Sequence, residues 1–252
     1  MRNQITPTHS STATSARFTA TSDDLIKAVN SIPAYIEHAT HFFVVSPNVD
    51  HRELSNNVCG YSSWLERGWC RVELTALAFA RRSNVSPILI KGPEAPPVMI
   101  SVPSGLCRTP GNGQFTCCAR RHEMMINGVL KAIPCDRSSI GSVVWKMLRS
   151  KRADLWSRGE LDESRLWQAY TPHFMQGLVC EEMSASATSV DEFLGEYRML
   201  ADEHRGVQNQ SGITPLLLAV VAGNAVVVHT LARRNPSDVT ARIESDFRML
   251  GI

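Results

Sequence analysis

The sequence predicts an α/β region over residues 23–135, followed by an all-α region that ends in a helical hairpin. Short apolar runs between Pro and Gly breakers predict buried strands in the first region, and an amphipathic helical pattern alternates with them. This order of helix, strand, helix and strand is typical of a short, mainly parallel sheet with flanking helices. Helical spacing continues over 136–205, and residues 206–252 form a separate C-terminal unit.

The first 22 residues differ in composition from the rest of the chain. Thr6–Ser22 is rich in Ser, Thr and Ala, and no acidic residue precedes Asp23. This composition predicts a disordered tail. It is also typical of an organelle transit peptide, and a chain that begins inside a longer parent would show the same abrupt start of patterned sequence.

The overall composition limits the possible functions. The chain has 252 residues with 26 basic and 24 acidic side chains, a balance that favours neither nucleic acid nor an anionic membrane as a partner. Its longest apolar run, Leu216–Val221, is far shorter than a bilayer span. Seven cysteines without regular spacing indicate reduced thiols in an intracellular protein. We therefore expect a cytoplasmic protein, or an organellar one if residues 1–22 are a transit peptide.

Three apolar runs predict the strands of the α/β region. His41–Ser46 ends at Pro47 and is mostly apolar, which is typical of a strand covered on both faces. Pro87–Ile90 and Val98–Val102 are the other two runs. We expect all three strands to be mutually adjacent and mainly parallel, because helical segments separate strands of this kind in α/β folds.

Two helices are predicted beside these strands. The first begins at Asp23-Asp24 and continues to Ile36, with a break or restart at Pro33. The second is a strongly amphipathic helix over Trp64–Arg82. Its apolar face would carry Leu65, Trp69, Val72, Ala76 and Phe79.

Several short motifs of this region match the order found in one known family. They are Ser31-Ile32-Pro33, Phe42-Phe43-Val44-Val45-Ser46-Pro47, Ser63-Trp64 and Trp69-Cys70-Arg71-Val72-Glu73-Leu74. Together they resemble the middle of a TIR-type domain over residues 23–105, with Trp69-Cys70, Glu73 and Leu74 as the specific part. The resemblance implies an incomplete TIR/flavodoxin-like sheet. In TIR-type enzymes that cleave NAD at the nicotinamide bond, the matching glutamate holds the nicotinamide ribose, so the resemblance makes Glu73 the catalytic candidate and NAD the candidate substrate.

The residues before Asp23 depart from this family. TIR-type domains open with a strand and a phosphate-approaching loop, whereas the preceding residues here are Ser/Thr-rich and contain only Ile5 and Phe18 as large aliphatic or aromatic side chains. We therefore expect a TIR-like region without activity and without a cofactor, and NAD hydrolysis through Glu73 is the alternative. As a solvated acid, Glu73 would instead pair with Arg71 or Lys91.

The segment 107–135 carries most of the cysteines. Cys107, Cys117, Cys118, His122 and Cys135 could in principle supply zinc ligands. Structural zinc sites usually pair their ligands as Cys-x-x-Cys, however, and adjacent cysteines on a strand or loop point in different directions. Phe115–Ala119 has the pattern of a short strand with one buried thiol. We therefore expect no metal here.

Helices are predicted over most of the remaining chain. Their predicted bounds are Glu123–Ile133, Ser138–Trp156, Leu161–Val179 and Val190–His204. A basic group on the second of these helices has the pattern of a solvated surface and comprises Lys146, Arg149, Lys151 and Arg152. The aromatic residues Trp156, Trp167, Tyr170 and Phe174 are expected to be core anchors.

The C-terminal unit has its own signature. Thr214 can cap a first helix with Pro215 at its first position, and Gly223-Asn224 can end that helix before a second apolar run. This spacing resembles one ankyrin repeat over about residues 207–240. Its signature positions are Gly212, Thr214, Pro215, Leu216, Ala219, Gly223, Val228 and Leu231. The resemblance implies binding of another protein, with the helices of 161–204 as a cap or with the chain as part of a longer repeat array.

Purified protein is expected to show little or no NAD cleavage, measured as nicotinamide release by chromatography. The physical reason is that the sequence before Asp23 lacks the pattern of a strand and phosphate loop, which would supply preorganised contacts to the dinucleotide. Turnover that is present in the natural chain and disappears in the Glu73→Ala variant would contradict this expectation.

Overall fold

The computed structural model describes residues 22–51, 58–80, 85–101, 108–126, 128–183, 185–199 and 213–240, which form a mixed α/β structure. The described strands are β1 Phe42–Val45, β2 Val49–Asp50, β3 Val58–Cys59, β4 Pro87–Ile90, β5 Val98–Met99, β6 Glu123–Ile126 and β7 Val129–Ala132. The described helices are α1 Ser22–His38, α2 Tyr61–Glu66, α3 Gly68–Phe79, α4 Thr116–Ala119, α5 Asp136–Ser157, α6 Leu161–Ala169, α7 Thr171–Met175, α8 Val190–Glu196, α9 Pro215–Val221 and α10 Ala225–Arg234. Short 3₁₀ turns lie at Pro110–Asn112 and Pro236–Thr240.

The predicted strands 41–46, 87–90 and 98–102 lie in one sheet, in the order β1-β4-β5. β1 and β4 are parallel, with Phe42 opposite Pro87 and Val45 opposite Ile90. α2 and α3 lie between these two strands in the chain, as a parallel crossover requires. β5 runs antiparallel to β4, so the expectation of a mainly parallel sheet is wrong for this strand. Val102 lies outside the described residues.

The sheet is covered on one face. Val44 and Leu89 are 2% and 3% exposed, whereas Phe43 and Val45 on the other face are 54% and 66% exposed. The expectation that His41–Ser46 is covered on both faces is therefore wrong. Side chains of a strand alternate between the faces of a sheet, and an unbroken apolar run does not by itself show that both faces are covered.

The helix expected over Trp64–Arg82 is divided into α2 and α3 at Arg67, which has an extended backbone. The cause is a tertiary contact: Gln114 N donates to Glu66 O, and Gly68 N donates to Gln114 O. A helical Arg67 would remove the bridge between these chain segments. Arg81 and Arg82 lie outside the described residues.

Pro33 does not interrupt α1, contrary to expectation, because the helix runs from Ser22 to His38 with Pro33 inside it. A proline in a helix interior removes one backbone hydrogen bond, and packing of the helix can offset that loss. α1 contacts α3 and α5, and Ile36 belongs to their shared apolar core.

The stretch Glu123–Ile133, expected to be a helix, forms the β hairpin of β6 and β7. β6 ends at Ile126 and β7 begins at Val129, the sequence between them reads Asn-Gly, and Gly128 has a φ of +78°. Asn-Gly is the preferred sequence for a loop of this length because both positions take positive φ in a type I′ turn. The apolar residues that suggested a helix are exposed, including Met125 at 66% and Leu130 at 59%.

The predicted helix 138–156 is confirmed as α5, the centre of a first apolar core. Its residues Ile140, Val143, Val144 and Leu148 are almost fully buried and pack with α1, α3, α6 and α7. Trp167 and Phe174 are core anchors as expected, and both contact the Phe79 ring edge-on. Their aromatic contacts join α3 to α6 and α7.

Three other expectations about these helices need correction. The stretch 161–179 is divided into α6 and α7, and the helix that begins at Val190 ends at Glu196, before Arg198, whose φ is +51°. Lys151 is not part of a solvated surface, because it is 7% exposed and lies 3.5 Å from the Ala80 carbonyl oxygen.

No helix in the described part of the chain combines the length and apolar character needed to cross a membrane.

Gly141 supplies a test of the packing around α5. A Cβ atom at this position would lie 2.1 Å from the Val179 carbonyl oxygen, a backbone atom that can move only with its chain segment. We expect Gly141→Ala to lower the free energy of unfolding by about 1–3 kcal/mol, the usual scale of overpacking. The measurement is urea denaturation followed by circular dichroism.

Gly195 is the matched control, because a Cβ there meets nothing within 4 Å and the residue lies inside α8. We expect Gly195→Ala to leave stability unchanged or to raise it by up to about 1 kcal/mol. Equal stability of the Gly141→Ala variant and the natural chain would show that α5 and the 179 segment are not packed as described.

Candidate functional site

The C-terminal helical pair, α9 and α10, has the local features that the sequence predicts. Thr214 Oγ1 accepts a hydrogen bond from Leu217 N at 3.1 Å, and Pro215 occupies the first helical position. Gly223 has a φ of +68° and ends the first helix. Asn224 Oδ1 then accepts from Val227 N at 3.1 Å and caps the second. Gly212 lies outside the described residues.

One face of this helical pair packs on the helices that precede it. Leu216, Ala219, Val227 and Leu231 are buried in a second apolar core, together with residues of α6 and α8. Val228 packs against the same core and is half-buried. Asn224 Nδ2 donates to the Ala187 carbonyl at 2.8 Å, which fixes the turn between α9 and α10 on the segment before α8. The expected docking on the helices of 161–204 is therefore present.

The opposite face of α10 is exposed. Val226 is 60% exposed, and His229 and Arg233 are exposed on the same side of the helix, at spacings of three and four residues. We call Val226, His229 and Arg233 the α10 stripe. It combines an apolar side chain with a cationic one at the surface of the helical pair.

Glu73, the catalytic candidate, lies on α3 and is half-buried. Burial raises the pKa of its carboxyl group, and the nearby Arg67 guanidinium acts in the opposite direction. Arg71, the proposed partner of a solvated Glu73, is buried and donates to the carbonyls of Leu65 and Thr109. Arg71 thus ties α3 to the end of α2 and to the segment before Pro110.

The other residues of the Trp-Cys motif have structural roles. Trp69 Nε1 donates to Asp136 Oδ2 at 3.1 Å, which connects the start of α3 with the start of α5. Cys70 is buried, and burial raises the pKa of its thiol to about 11. Leu74 is buried, with 2% of its surface exposed. The motif therefore anchors α3, and Trp69 and Glu73 are its half-buried members.

Four potential metal ligands meet at the start of α5. Cys117, Cys118, His122 and Cys135 place their ligand atoms within 4.8 Å of one another, and we call them the Cys/His cluster. Cys118 Sγ lies 3.9 Å from Cys117 Sγ, 3.8 Å from Cys135 Sγ and 3.6 Å from His122 Nε2. Cys107, the fifth residue considered from the sequence, lies outside the described residues.

The local backbone explains why adjacent cysteines converge. Phe115–Ala119 is not the expected strand, because Thr116–Ala119 forms the short helix α4. Neighbouring side chains of a helix diverge by about 100° rather than by the half-turn of a strand, so both sulfur atoms can face one point. The expectation that Cys117 and Cys118 point apart is therefore wrong.

The chain then reverses at two left-handed residues. Arg121 has a φ of +53° and His122 a φ of +61°, and neither is a glycine. Such residues cost roughly 1–3 kcal/mol each and persist where the surrounding structure holds them. His122 N donates to the Cys117 carbonyl at 2.7 Å, and Ile133 N donates to the His122 carbonyl at 2.8 Å. This geometry turns the His122 ring toward Cys118 at the base of the β hairpin.

The environments of two cluster thiols differ. Burial raises the pKa of the Cys117 thiol to about 11, although the Asp136 backbone N–H donates to its sulfur at 3.3 Å. For Cys118, burial acts to raise the pKa, but hydrogen bonds with His122, Arg137 and Cys135 outweigh it and lower the pKa to about 7. Of these two thiols, Cys118 forms a thiolate more readily.

The basic residues Arg149 and Arg152 of α5 line a surface cleft of about 400 Å³ with Arg165, Trp156 and Arg198. Arg165 is buried and donates to the carbonyls of Tyr197 and Arg198. Backbone carbonyls just after the end of α8 thereby gain hydrogen-bond partners. The Arg198 guanidinium lies 4.7 Å from the Trp156 ring centroid. These contacts hold α8 against α5 and α6.

Comparisons of the chain with protein-family models, with curated proteins and with solved structures find no match.

The second core predicts how charge affects the C-terminal helical pair. Leu218 is fully buried, so Leu218→Asp would place an unpaired carboxylate in an apolar core. We expect the free energy of unfolding to fall by at least about 3 kcal/mol, measured by urea denaturation. Leu231→Asp, at a residue 3% exposed, should have a similar effect.

Val220→Asp is the matched control on the same helix, because Val220 is 55% exposed. It should change stability by no more than about 0.5 kcal/mol. If Leu218→Asp unfolds at the same urea concentration as Val220→Asp, α9 does not pack on α6 and α8 as described.

Proposed function

We propose that this protein binds a partner protein through its C-terminal helical pair, in the manner of an ankyrin-type repeat. One observation carries the proposal: α9 and α10 are capped at both starts and buried on one face, while the α10 stripe is left exposed on the other. Burial of Leu216, Ala219, Val227 and Leu231 holds the pair in place before any partner arrives. A surface held in this way loses little conformational entropy on binding.

The α10 stripe indicates the chemistry of the partner surface. Val226 offers an apolar contact, and Arg233 and Arg234 provide exposed positive charge at the end of α10. The complementary surface is an apolar pocket with acidic residues at its edge, because interfaces combine a desolvated centre with a charged rim. Arginine also forms paired hydrogen bonds to carboxylates.

In this proposal the N-terminal α/β region is a non-catalytic scaffold. It supplies the core around α5, on which α6 packs, and α6 in turn packs on α9. The TIR-like motif supports this role through its contacts, since Trp69 hydrogen-bonds to Asp136 and Leu74 is buried. No step of chemistry is required of it.

The second candidate function is NAD cleavage at Glu73. The observation that favours it is the half-buried position of this carboxyl group on α3. A carboxylate held near a departing base can stabilise an oxocarbenium-like centre. Nicotinamide release by the natural chain and its loss in the Glu73→Ala variant would support this candidate over the first.

The interaction is tested by placing a photo-cross-linking amino acid at position 226 and identifying the protein captured in the cells that express the chain. The captured protein is then purified, and its affinity for the natural chain is measured by calorimetry. We expect Val226→Asp to weaken binding at least about tenfold, because it puts a charge at the centre of the contact and adds repulsion against an acidic rim.

Val179→Asp is the matched control, because Val179 is 59% exposed and lies outside the helical pair. It should bind with unchanged affinity, and both variants should keep the thermal stability of the natural chain. Equal affinity of the Val226→Asp variant and the natural chain, or no specific capture at position 226, would contradict the proposal.

A further inference from the structure

We propose that Cys117, Cys118, His122 and Cys135 bind one zinc ion and form a closed structural metal site at the start of α5. This inference is independent of the function proposed for the C-terminal helical pair. It rests on the spacing of the four ligand atoms, on their chemical identity and on the groups that surround them.

Three of the six distances among the ligand atoms, those from Cys118 Sγ, match a tetrahedral zinc site, and all four atoms lie within 4.8 Å of one another. Zinc lies about 2.3 Å from a cysteine sulfur and about 2.0–2.1 Å from a histidine nitrogen. At the tetrahedral angle, these bond lengths place two sulfur ligands about 3.8 Å apart and a sulfur and a nitrogen about 3.6 Å apart. Cys118 Sγ lies 3.8 Å from Cys135 Sγ and 3.6 Å from His122 Nε2. Its distance to Cys117 Sγ is 3.9 Å.

The ligand set selects the metal and its role. Three thiolates and one imidazole are a recurrent structural zinc set, whereas magnesium and calcium prefer oxygen ligands. Four protein ligands leave no open position for water or substrate, so the site is structural rather than catalytic. On binding, the three thiols release their protons to solvent, and the sulfur atoms bind the ion as thiolates.

The Asp136 N–H and the Arg137 guanidinium favour the negative charge of such a site, whereas the Asp136 carboxylate opposes it. One zinc ion with three thiolates and a neutral imidazole carries a net charge of about −1. The Asp136 N–H, in the first turn of the 22-residue helix α5, points to Cys117 Sγ at 3.3 Å. Helix N-termini stabilise anionic groups. The Arg137 guanidinium adds a positive charge beside Cys118, and its hydrogen bonds to the carbonyls of Gly111 and Gly177 hold it there.

The metal would connect three parts of the chain, in addition to the backbone hydrogen bonds that already join His122 to Cys117 and to Ile133. Cys117 and Cys118 lie on the four-residue helix α4, His122 precedes β6, and Cys135 follows β7 and precedes α5. Within the described residues, β6 and β7 pair only with each other. A two-stranded hairpin is marginal by itself in water. Zinc bonds to His122, before β6, and to Cys135, after β7, would hold the base of this hairpin on α5.

The test is metal analysis of the full-length chain, purified without chelator from cells supplied with zinc. We expect one zinc per chain by atomic emission. After the zinc is removed, cobalt(II) should give the intense visible bands of a tetrahedral site and the near-ultraviolet bands of thiolate coordination. Chelation should lower the melting temperature, and zinc but not magnesium should restore it.

Variants connect the metal with the four residues. Cys118→Ser and His122→Ala should each lose stoichiometric zinc and the tetrahedral cobalt spectrum. Cys59→Ser is the control, because Cys59 is a half-buried free cysteine on β3 and lies outside the Cys/His cluster. It should retain one zinc per chain. If a ligand variant does not fold, the change in melting temperature on chelation of the natural chain still tests the proposal.

Three results would overturn the proposal. The first is a purified natural chain that binds neither zinc nor cobalt. The second is full zinc occupancy in both the Cys118→Ser and the His122→Ala variants. The third is a disulfide between Cys118 and Cys135, found by mass spectrometry of the natural chain purified under reducing conditions.

Discussion

The start of α5 is the point on which the rest of the structure depends. Asp136 accepts a hydrogen bond from the Trp69 indole through its side chain and donates its backbone N–H to Cys117 Sγ. α3, α4 and α5 therefore meet at one residue. The same place carries the Arg137 guanidinium, which lies 4.8 Å from the Phe115 ring centroid, while Phe115 meets Gly68 at the start of α3. Loss of this junction would remove these contacts of α4 and Phe115 with the starts of α3 and α5.

From this junction α5 extends through the first core and positions the C-terminal helices. α5 packs on α6, and Leu166 and Ala169 of α6 belong to the second core with α8, α9 and α10. Trp167, on the same short helix, lies in the first core with Phe79 and Phe174. α6 thus presents opposite faces to the two cores. The helices from α5 to α10 therefore form a continuous packed set that supports the exposed α10 stripe. This arrangement makes the α/β region a support for the surface that we propose binds a partner.

The sequence predicted the features that local patterns determine. α5 and the pair α9–α10 follow from apolar periodicity and capping residues, and β1, β4 and β5 from short apolar runs. It did not predict the break at Arg67, because the cause is a contact with Gln114, 47 positions further along the chain. Asn127-Gly128 is a local sequence signal for the β hairpin. The spacing of the methionines also fits a helix, and a helix was therefore predicted instead. To predict the Cys/His cluster, one would need to know the helical turn of α4 and the left-handed backbone of Arg121 and His122. No short sequence motif indicates either feature.

X-ray absorption at the zinc edge of the purified full-length protein tests the central claim, that metal coordination completes the junction at the start of α5. The account predicts a first shell of three sulfur atoms at about 2.3 Å and one nitrogen at about 2.0–2.1 Å. The histidine nitrogen should disappear from that shell in any zinc-bound His122→Ala protein. A shell made only of oxygen and nitrogen, or one unchanged by this substitution, would contradict the account.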